Sequence, residues 1–174
     1  TRAKNQAQTG NYLEASYTGT EIKGKIFGVI GLGRIGQRVA ELASKGFGAH
    51  VLYWSHKQKN GAEKVGIKYT GIDTLLNTSD IISLHMSYNP ETKGFLNAKR
   101  IAMIKPGSIV INTAPMELVD IETLEKRLQK NNITFILDHS DELDPAVAKR
   151  LSKLNNCILY PPIAYTPAEA TKLK

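Results

Sequence analysis

A single cysteine, Cys157, stands in a chain of 174 residues. One thiol excludes a disulfide framework and any multi-cysteine metal site, and it fits a reducing, cytoplasmic setting. The four histidines show no metal-ligand spacing with it. Long hydrophobic runs are also missing. No stretch approaches the ~20 apolar residues of a membrane-spanning helix. Thr1 to Thr9 are polar and lack an apolar h-region, so no signal peptide is expected. Aromatic residues make up only 7% and are not interleaved with basic ones, which argues against a platform for single-stranded nucleic acid. Acids are outnumbered, 16 against 23 bases, for a net charge of +7. Such a charge suits an anionic cofactor, a nucleic acid, a membrane surface or simply a solvated basic surface. Most basic residues are mixed with acids, as in Glu122–Lys130. The exception is His56 to Thr70, where Lys57, Lys59, Lys64 and Lys68 stand against Glu63 alone.

What is present is globular: 41% hydrophobic and 22% charged residues, in a length suited to one domain. Thr1 to Thr20, rich in Thr, Gln, Asn, Gly and Tyr, reads as an arm or linker; residues 21–174 read as the domain. Buried strands are predicted at Lys25–Ile30, His50–Trp54, Ile81–Leu84, Ser108–Ile111, Ile133–Leu137 and Cys157–Tyr160, with a possible short one at Ile67–Tyr69. Helices are predicted at Arg34–Gly46, Ile72–Leu76, Asn97–Met103, Val119–Lys130 and Pro145–Leu154. In the first, Ile35, Val39, Leu42 and Ala43 form the expected core face. Alternating strands and helices predict a doubly wound α/β fold: a parallel sheet in a three-layer α/β/α sandwich with right-handed crossovers. Ligands of such sheets lie at the carboxyl ends of the strands.

Gly31-Leu-Gly-Arg-Ile-Gly36 follows a predicted strand and opens a predicted helix, the setting in which G-x-G-x-x-G binds a dinucleotide. Gly31 permits the tight turn, Gly33 lets a pyrophosphate approach the backbone, and Gly36 lets the helix pack close to the strand. The helix N-terminus offers free N–H groups to the phosphates. An NAD site usually carries Asp or Glu about 20 residues further on. Here that place holds Ser55, then His56 and Lys57. No carboxylate repels a 2′-phosphate, so NADP(H) is favoured over NAD(H). The alternative is that Ser55 caps a loop and Lys57 is solvated.

The chain resembles the D-isomer-specific 2-hydroxyacid dehydrogenases in their NAD(P)-binding domain, of Rossmann type. The likeness runs from Gly24 through Gly36, then Ser79-Asp-Ile-Ile-Ser-Leu-His85 and Asn89-Pro-Glu-Thr-Lys-Gly-Phe-Leu-Asn97. It continues through Ile104–Ala114, Leu118-Val-Asp120, Leu137-Asp138 and Pro161-Pro-Ile-Ala164. The resemblance implies that Gly31, Gly33, Arg34, Ile35 and Gly36 hold the pyrophosphate. Ser55, His56 and Lys57 would meet the adenosine ribose, and Met86, Ser87 and Thr92 would line the cofactor's floor, although the family more often has Pro at Ser87. Thr113 and Ala114 would flank the nicotinamide, and Asp138 would bond its carboxamide. His85 is implied as a structural or cofactor-side residue. A homodimer is also implied, together with a substrate domain absent from this chain.

The departures concern catalysis. The family's substrate-binding Arg falls on Pro115, and Met116 replaces the Gly that follows it. The family's proton-carrying His falls on Pro162. Its partner Glu falls on Leu143, or on Asp144 with one added residue. Proline has no charge and no side-chain donor. The expectation is therefore an oxidoreductase domain, by descent acting on a CH–OH group, that does not catalyse hydride transfer by itself. The alternative is a catalytically silent dinucleotide-binding sensor or assembly module; a basic nucleic-acid-binding domain is the third reading, opposed by the intact glycine loop. His139-Ser140-Asp141 is not a triad, because consecutive residues on a strand end do not face one another. His139 reads either as a solvated loop residue or as a replacement proton donor beside Asp138.

Overall fold

The computed structural model describes Gly10 and residues 19–59, 61–62 and 66–162. The expected arm over Thr1–Thr20 therefore lies largely outside the described residues, as do Ile163, Ala164 and the chain's last residues. Strands β1 (Ile26–Ile30), β2 (His50–Trp54), β3 (Ile67–Tyr69), β4 (Ile81–Leu84), β5 (Ile109–Asn112), β6 (Thr134–Leu137) and β7 (Cys157–Leu159) form a single sheet. Its order is β3-β2-β1-β4-β5-β6-β7. Every pairing is parallel. The possible strand at Ile67–Tyr69 is thus real and forms one edge. Between β1 and β4 the chain changes direction across the sheet, which opens a crevice at the carboxyl ends of those strands.

Helix α1 (Arg34–Glu41) continues as a π-turn over Leu42–Gly46. Helices α2 (Ile72–Thr78), α3 (Ala98–Met103), α4 (Ile121–Gln129) and α5 (Pro145–Leu151) complete the described set. The strands' period of two splits their side chains between two cores. Ile30, Ile82, Leu84, Val110, Phe135 and Leu137 join Leu75, Ile101, Leu124, Leu128 and Leu151 of α2 to α5 on one face. Phe27, Val29, Val51, Tyr53 and Ile67 join Ala40 of α1 and Ala43 of the π-turn on the other. Full burial of side chains such as Leu84 or Phe135 stabilises by about 1.5–3 kcal/mol each.

Helix boundaries follow local chemistry. Asn97 accepts the Arg100 N–H, Asp120 accepts the Thr123 N–H, and Asp144 accepts the N–H groups of Ala146 and Val147. Each caps a helix start by satisfying donors that have no intrahelical partner. These bonds also hold Asp120 below the usual carboxylate range, Thr123 being the main cause.

The face of α1 differs from expectation. Ile35 is 70% exposed and Leu42 45% exposed, whereas Gly36, Ala40 and Ala43 are buried. The helix lies so close to the sheet that only small residues fit beneath it. A Cβ on Gly36 would collide with the Gly31 carbonyl. Larger apolar residues are displaced to the outer side.

Candidate dinucleotide site

Gly31 leaves β1 with φ +95°, a left-handed conformation that favours glycine. A Cβ there would also lie 2.7 Å from the His85 carbonyl oxygen, so the turn rests on the end of β4. Gly33 is the N-cap of α1 and provides no side-chain cap. The first helical N–H groups are thereby left for a ligand, with the positive end of the helix dipole behind them. A Cβ on Gly33 would meet no protein atom within 4 Å. Its lack of a side chain is not demanded by protein packing, which fits a site where a pyrophosphate approaches the backbone. These features accommodate a dinucleotide.

One crevice of about 370 Å³ gathers the predicted residues Gly31, Gly33, Ser55, His56, Lys57, Met86, Ser87 and Thr92. Sequence reasoning had not singled out Leu32 and Trp54, which line it too. The burial of Leu32 and the packing of Trp54 on Phe95, 4.9 Å between ring centres, fix these walls from non-local contacts. Arg34 and Ile35 are exposed at the start of α1, and Gly36 is buried beneath it.

Three of the crevice residues are held by their own loops. The Ser55 hydroxyl is buried and donates to the Lys57 carbonyl at 2.5 Å, so it caps its loop. Lys57 and His56 remain exposed beside it. The Thr92 hydroxyl donates to the Ser87 carbonyl at 3.0 Å and accepts the Asn89 N–H at 2.8 Å. Asn89 Oδ1 in turn accepts the N–H groups of Glu91 and Thr92. The floor loop from Ser87 to Thr92 is thus shaped by short-range bonds.

Further along the sheet edge, Thr113, Ala114 and Asp138 follow β5 and β6 outside that crevice. Ala114 is buried, with its N–H on Asn112 Oδ1 at 3.0 Å. The Asp138 N–H donates to the Asn112 carbonyl at 3.1 Å. Thr113 Oγ1 lies 3.4 Å from His85 Nδ1, and His85 Nε2 lies 2.8 Å from Ser83 Oγ. Burial pushes the His85 imidazole down from its ordinary value, which favours the neutral ring. His85 therefore serves as a neutral brace between the ends of β4 and β5.

The positions that break the family pattern lie nearby. Pro115 precedes a 3₁₀ turn over Met116–Leu118, and Pro161-Pro162 follows β7. Of the two places considered for the carboxylate, Leu143 is buried and Asp144 is occupied as the cap of α5. The carboxylate beside an imidazole is instead Glu142. His139 Nδ1 lies 3.6 Å from Glu142 Oε1, and Glu142 Oε2 accepts the Met116 N–H at 2.8 Å. His139 adjoins a 3₁₀ turn at Ser140–Glu142, and that turn, not a strand end, brings the pair together. A larger cavity, about 600 Å³, is lined by Met116, Val119, Ile121, Glu142, Leu143 and Val147. It contains neither the glycine loop nor the free helix N-terminus. Among the described residues no group of His, Cys, Asp and Glu is arranged to hold a metal, and no helix is long and apolar enough to cross a membrane.

Residues 1–164 match the family described as D-isomer specific 2-hydroxyacid dehydrogenase, NAD binding domain. The chain belongs to this family. A glyoxylate reductase of Thermococcus litoralis is 39% identical over 156 residues, covering 88% of this chain and 46% of that protein. A D-3-phosphoglycerate dehydrogenase of Mycobacterium leprae is 36% identical over 160 residues, covering 91% of this chain and 30% of that protein. Among solved structures, a D-lactate dehydrogenase from Aquifex aeolicus complexed with NAD and lactic acid superposes with a TM-score of 0.88 at 29% identity. That match covers 98% of this chain and 56% of the other. An acyclic imino acid reductase in complex with NADPH and D-Arg gives 0.83 at 32% identity, covering 98% of this chain and 54% of the other. The chain thus spans less than half the length of these sequence relatives and little more than half of these solved structures. As a member of the family's NAD-binding domain it has the expected Rossmann-type fold.

Proposed function

We propose that this chain is the cofactor-binding half of an NAD(P)-dependent oxidoreductase of the 2-hydroxy acid and 2-oxo acid class. The observation that carries the reading is the open backbone at Gly33 beside the uncapped start of α1, at the head of one crevice. The pyrophosphate lies against Gly31, Gly33, Arg34, Ile35 and Gly36. Ser55, His56 and Lys57 border the adenosine ribose, with Met86, Ser87 and Thr92 as the floor. The nicotinamide end reaches Thr113, Ala114 and Asp138. When bound, the reduced cofactor supplies a hydride to a carbonyl carbon.

NADP(H) is preferred over NAD(H) in this reading. Because the Ser55 hydroxyl is committed to its loop, the discrimination rests on the exposed Lys57 and His56, with Lys59 lining the same crevice. Both cofactors occur among the solved relatives, so fold likeness does not choose between them. The chain pairs with a second copy, a reading supported by the exposed apolar residues Ile35, Leu42 and Phe47. Its buried, unpaired Cys157, pushed up to about 11 by desolvation, suits a cytoplasmic setting as an inert thiol.

With Pro115 and Pro162 in place of the family's cation and acid, turnover by this chain alone stays below about 1 s⁻¹, the bottom of the ordinary enzyme range. Those prolines also favour a second reading, a dinucleotide sensor or assembly module with no turnover. The deciding experiment for the main reading is a calorimetric titration with NADH and NADPH. Binding at micromolar concentration, lost in Gly33→Val while the fold persists, supports it. Absence of binding below millimolar concentration by a folded chain overturns it.

A further inference from the structure

Two hydroxyls stand on one face at the end of β2. Val51, Tyr53 and Ser55 are all buried, and their spacing of two sends their side chains to the same side of the sheet. Ser55 holds the Lys57 carbonyl, as described above, and Tyr53 reaches two residues further along the same loop. The Tyr53 phenol oxygen accepts the Lys59 N–H at 2.9 Å and donates to the Lys59 carbonyl at 3.4 Å. The Tyr53 ring lies within the core beneath α1, with Tyr69 edge-on at 5.4 Å between ring centres. A residue rooted in the core thus engages both main-chain groups of Lys59. The loop leaving β2 is therefore tied at Lys57 and again at Lys59, each time from below.

With the main chain held in this way, the side chains of Lys57 and Lys59 stay exposed, and both line the crevice that contains Gly31 and Gly33. Lys59 also borders an adjoining cavity with Glu41, but that carboxylate is paired with Arg38 at 3.3 Å. Gripping an anion costs the entropy of ordering both a loop and a long side chain. A main chain that is already fixed leaves only the side chain to order, so the same contact yields more affinity. We propose that Tyr53 is a positioning residue for cofactor specificity: its hydroxyl holds Lys59 at the ribose end of the crevice, as a second cation beside Lys57 for a 2′-phosphate. This assignment rests on the cofactor reading above and on its preference for NADP(H). Tyr53 is fully buried, so it acts through Lys59 and not by touching the cofactor. A ribose that carries no phosphate draws nothing from this arrangement.

Tyr53→Phe keeps the buried ring and removes the hydroxyl. By calorimetry it should weaken NADPH about fivefold and leave NADH within twofold, a split that a merely structural role does not produce. AMP bearing a 2′-phosphate, titrated against plain AMP, should show the same split, because these two probes carry the ribose end alone. Lys59→Ala, a change at an exposed side chain, should weaken NADPH to a similar degree. The double variant should be little weaker than Lys59→Ala, since both changes act on one cation. A further measurement needs no variant: in the wild-type chain the Lys59 amide hydrogen should exchange slowly before any ligand is added. Equal weakening of both cofactors in Tyr53→Phe, an unaltered NADPH affinity, or losses that add in the double variant overturn the assignment. So does fast exchange of the Lys59 amide in the wild type. Each of these leaves the cofactor reading intact. A wild-type chain that binds NADH as tightly as NADPH overturns the assignment together with the NADP(H) preference. Failure of both dinucleotides to bind overturns the cofactor reading as well.

Discussion

Lys105 Nζ lies 2.7 Å from Asp80 Oδ1, and the second oxygen of Asp80 accepts the N–H of Ile26 at 2.9 Å. One carboxylate thereby ties the starts of β1 and β4 to the turn before β5, at the end of the sheet opposite the crevice. The bond from Lys105, more than the Ile26 N–H, holds Asp80 below the usual carboxylate range, against the opposing effect of burial.

This relationship gives a pH dependence with a definite sign. A carboxylate whose folded pKa is depressed adds stability above its unfolded value, near 3.9, and loses it as pH falls through the folded value. Asp80→Ala should therefore cost about 1–2 kcal/mol in urea unfolding at pH 7, and the gap from wild type should shrink below about pH 4. Lys105, with 40% of its side chain exposed, contributes less, and Lys105→Ala should cost under ~1 kcal/mol. A gap that stays constant down to pH 2.5 would count against the assignment to Asp80.

The glycines of the loop should separate folding from binding. Gly33 has an ordinary negative φ of −79° and open space around a Cβ. Gly33→Val should lower the unfolding free energy by no more than about 1 kcal/mol, the cost of a poorer N-cap, while reducing dinucleotide affinity at least tenfold. Gly36→Ala drives a Cβ into the Gly31 carbonyl and should destabilise the fold by about 2 kcal/mol or more. Equal effects of both substitutions on stability would refute this division of labour.

Cofactor preference should depend on charge beside the ribose. Lys57→Ala should weaken NADPH about tenfold and leave NADH within twofold, because a 2′-phosphate gains a charge-assisted partner that a hydroxyl does not need. Raising salt should weaken NADPH more than NADH. Loss of the same size for both cofactors in calorimetry would show that Lys57 does not read the 2′-position.

Self-association can be tested on the outer side of α1 and the turn that follows it. Leu42 is 45% and Phe47 57% exposed, so charge there costs little core packing. Sedimentation of the wild-type chain should give a species of about twice 19.2 kDa at micromolar concentration. Leu42→Glu together with Phe47→Lys should shift it to the monomer without lowering the melting temperature by more than a few degrees. A wild-type monomer across that range would exclude the homodimer.

The order of strands and helices was settled by the chain's own local chemistry. Apolar runs such as Ile81–Leu84, Gly31 at the end of β1 and Asp144 before α5 act over a few residues, so their consequences can be read without knowing what lies across the sheet. The glycine loop belongs to the same class, because strand, turn and helix start are contiguous. The family strings carried the rest of the crevice, and they placed Met86, Ser87 and Thr92 on it from distant positions. Tertiary structure alone decided three matters. It chose the face of α1 that is buried, since the closeness of that helix to the sheet admits Ala40 and Ala43 and displaces Ile35 and Leu42. It selected, of the two readings the sequence left open for Ser55, the one in which the hydroxyl donates to the Lys57 carbonyl. It also set Glu142, not Leu143 or Asp144, beside His139, because the choice depends on a short 3₁₀ turn and on the N–H of Met116, 26 residues away in the sequence. Local periodicity contains no information about a partner at that separation; only the adjacent carboxyl ends of β5 and β6 bring the two together.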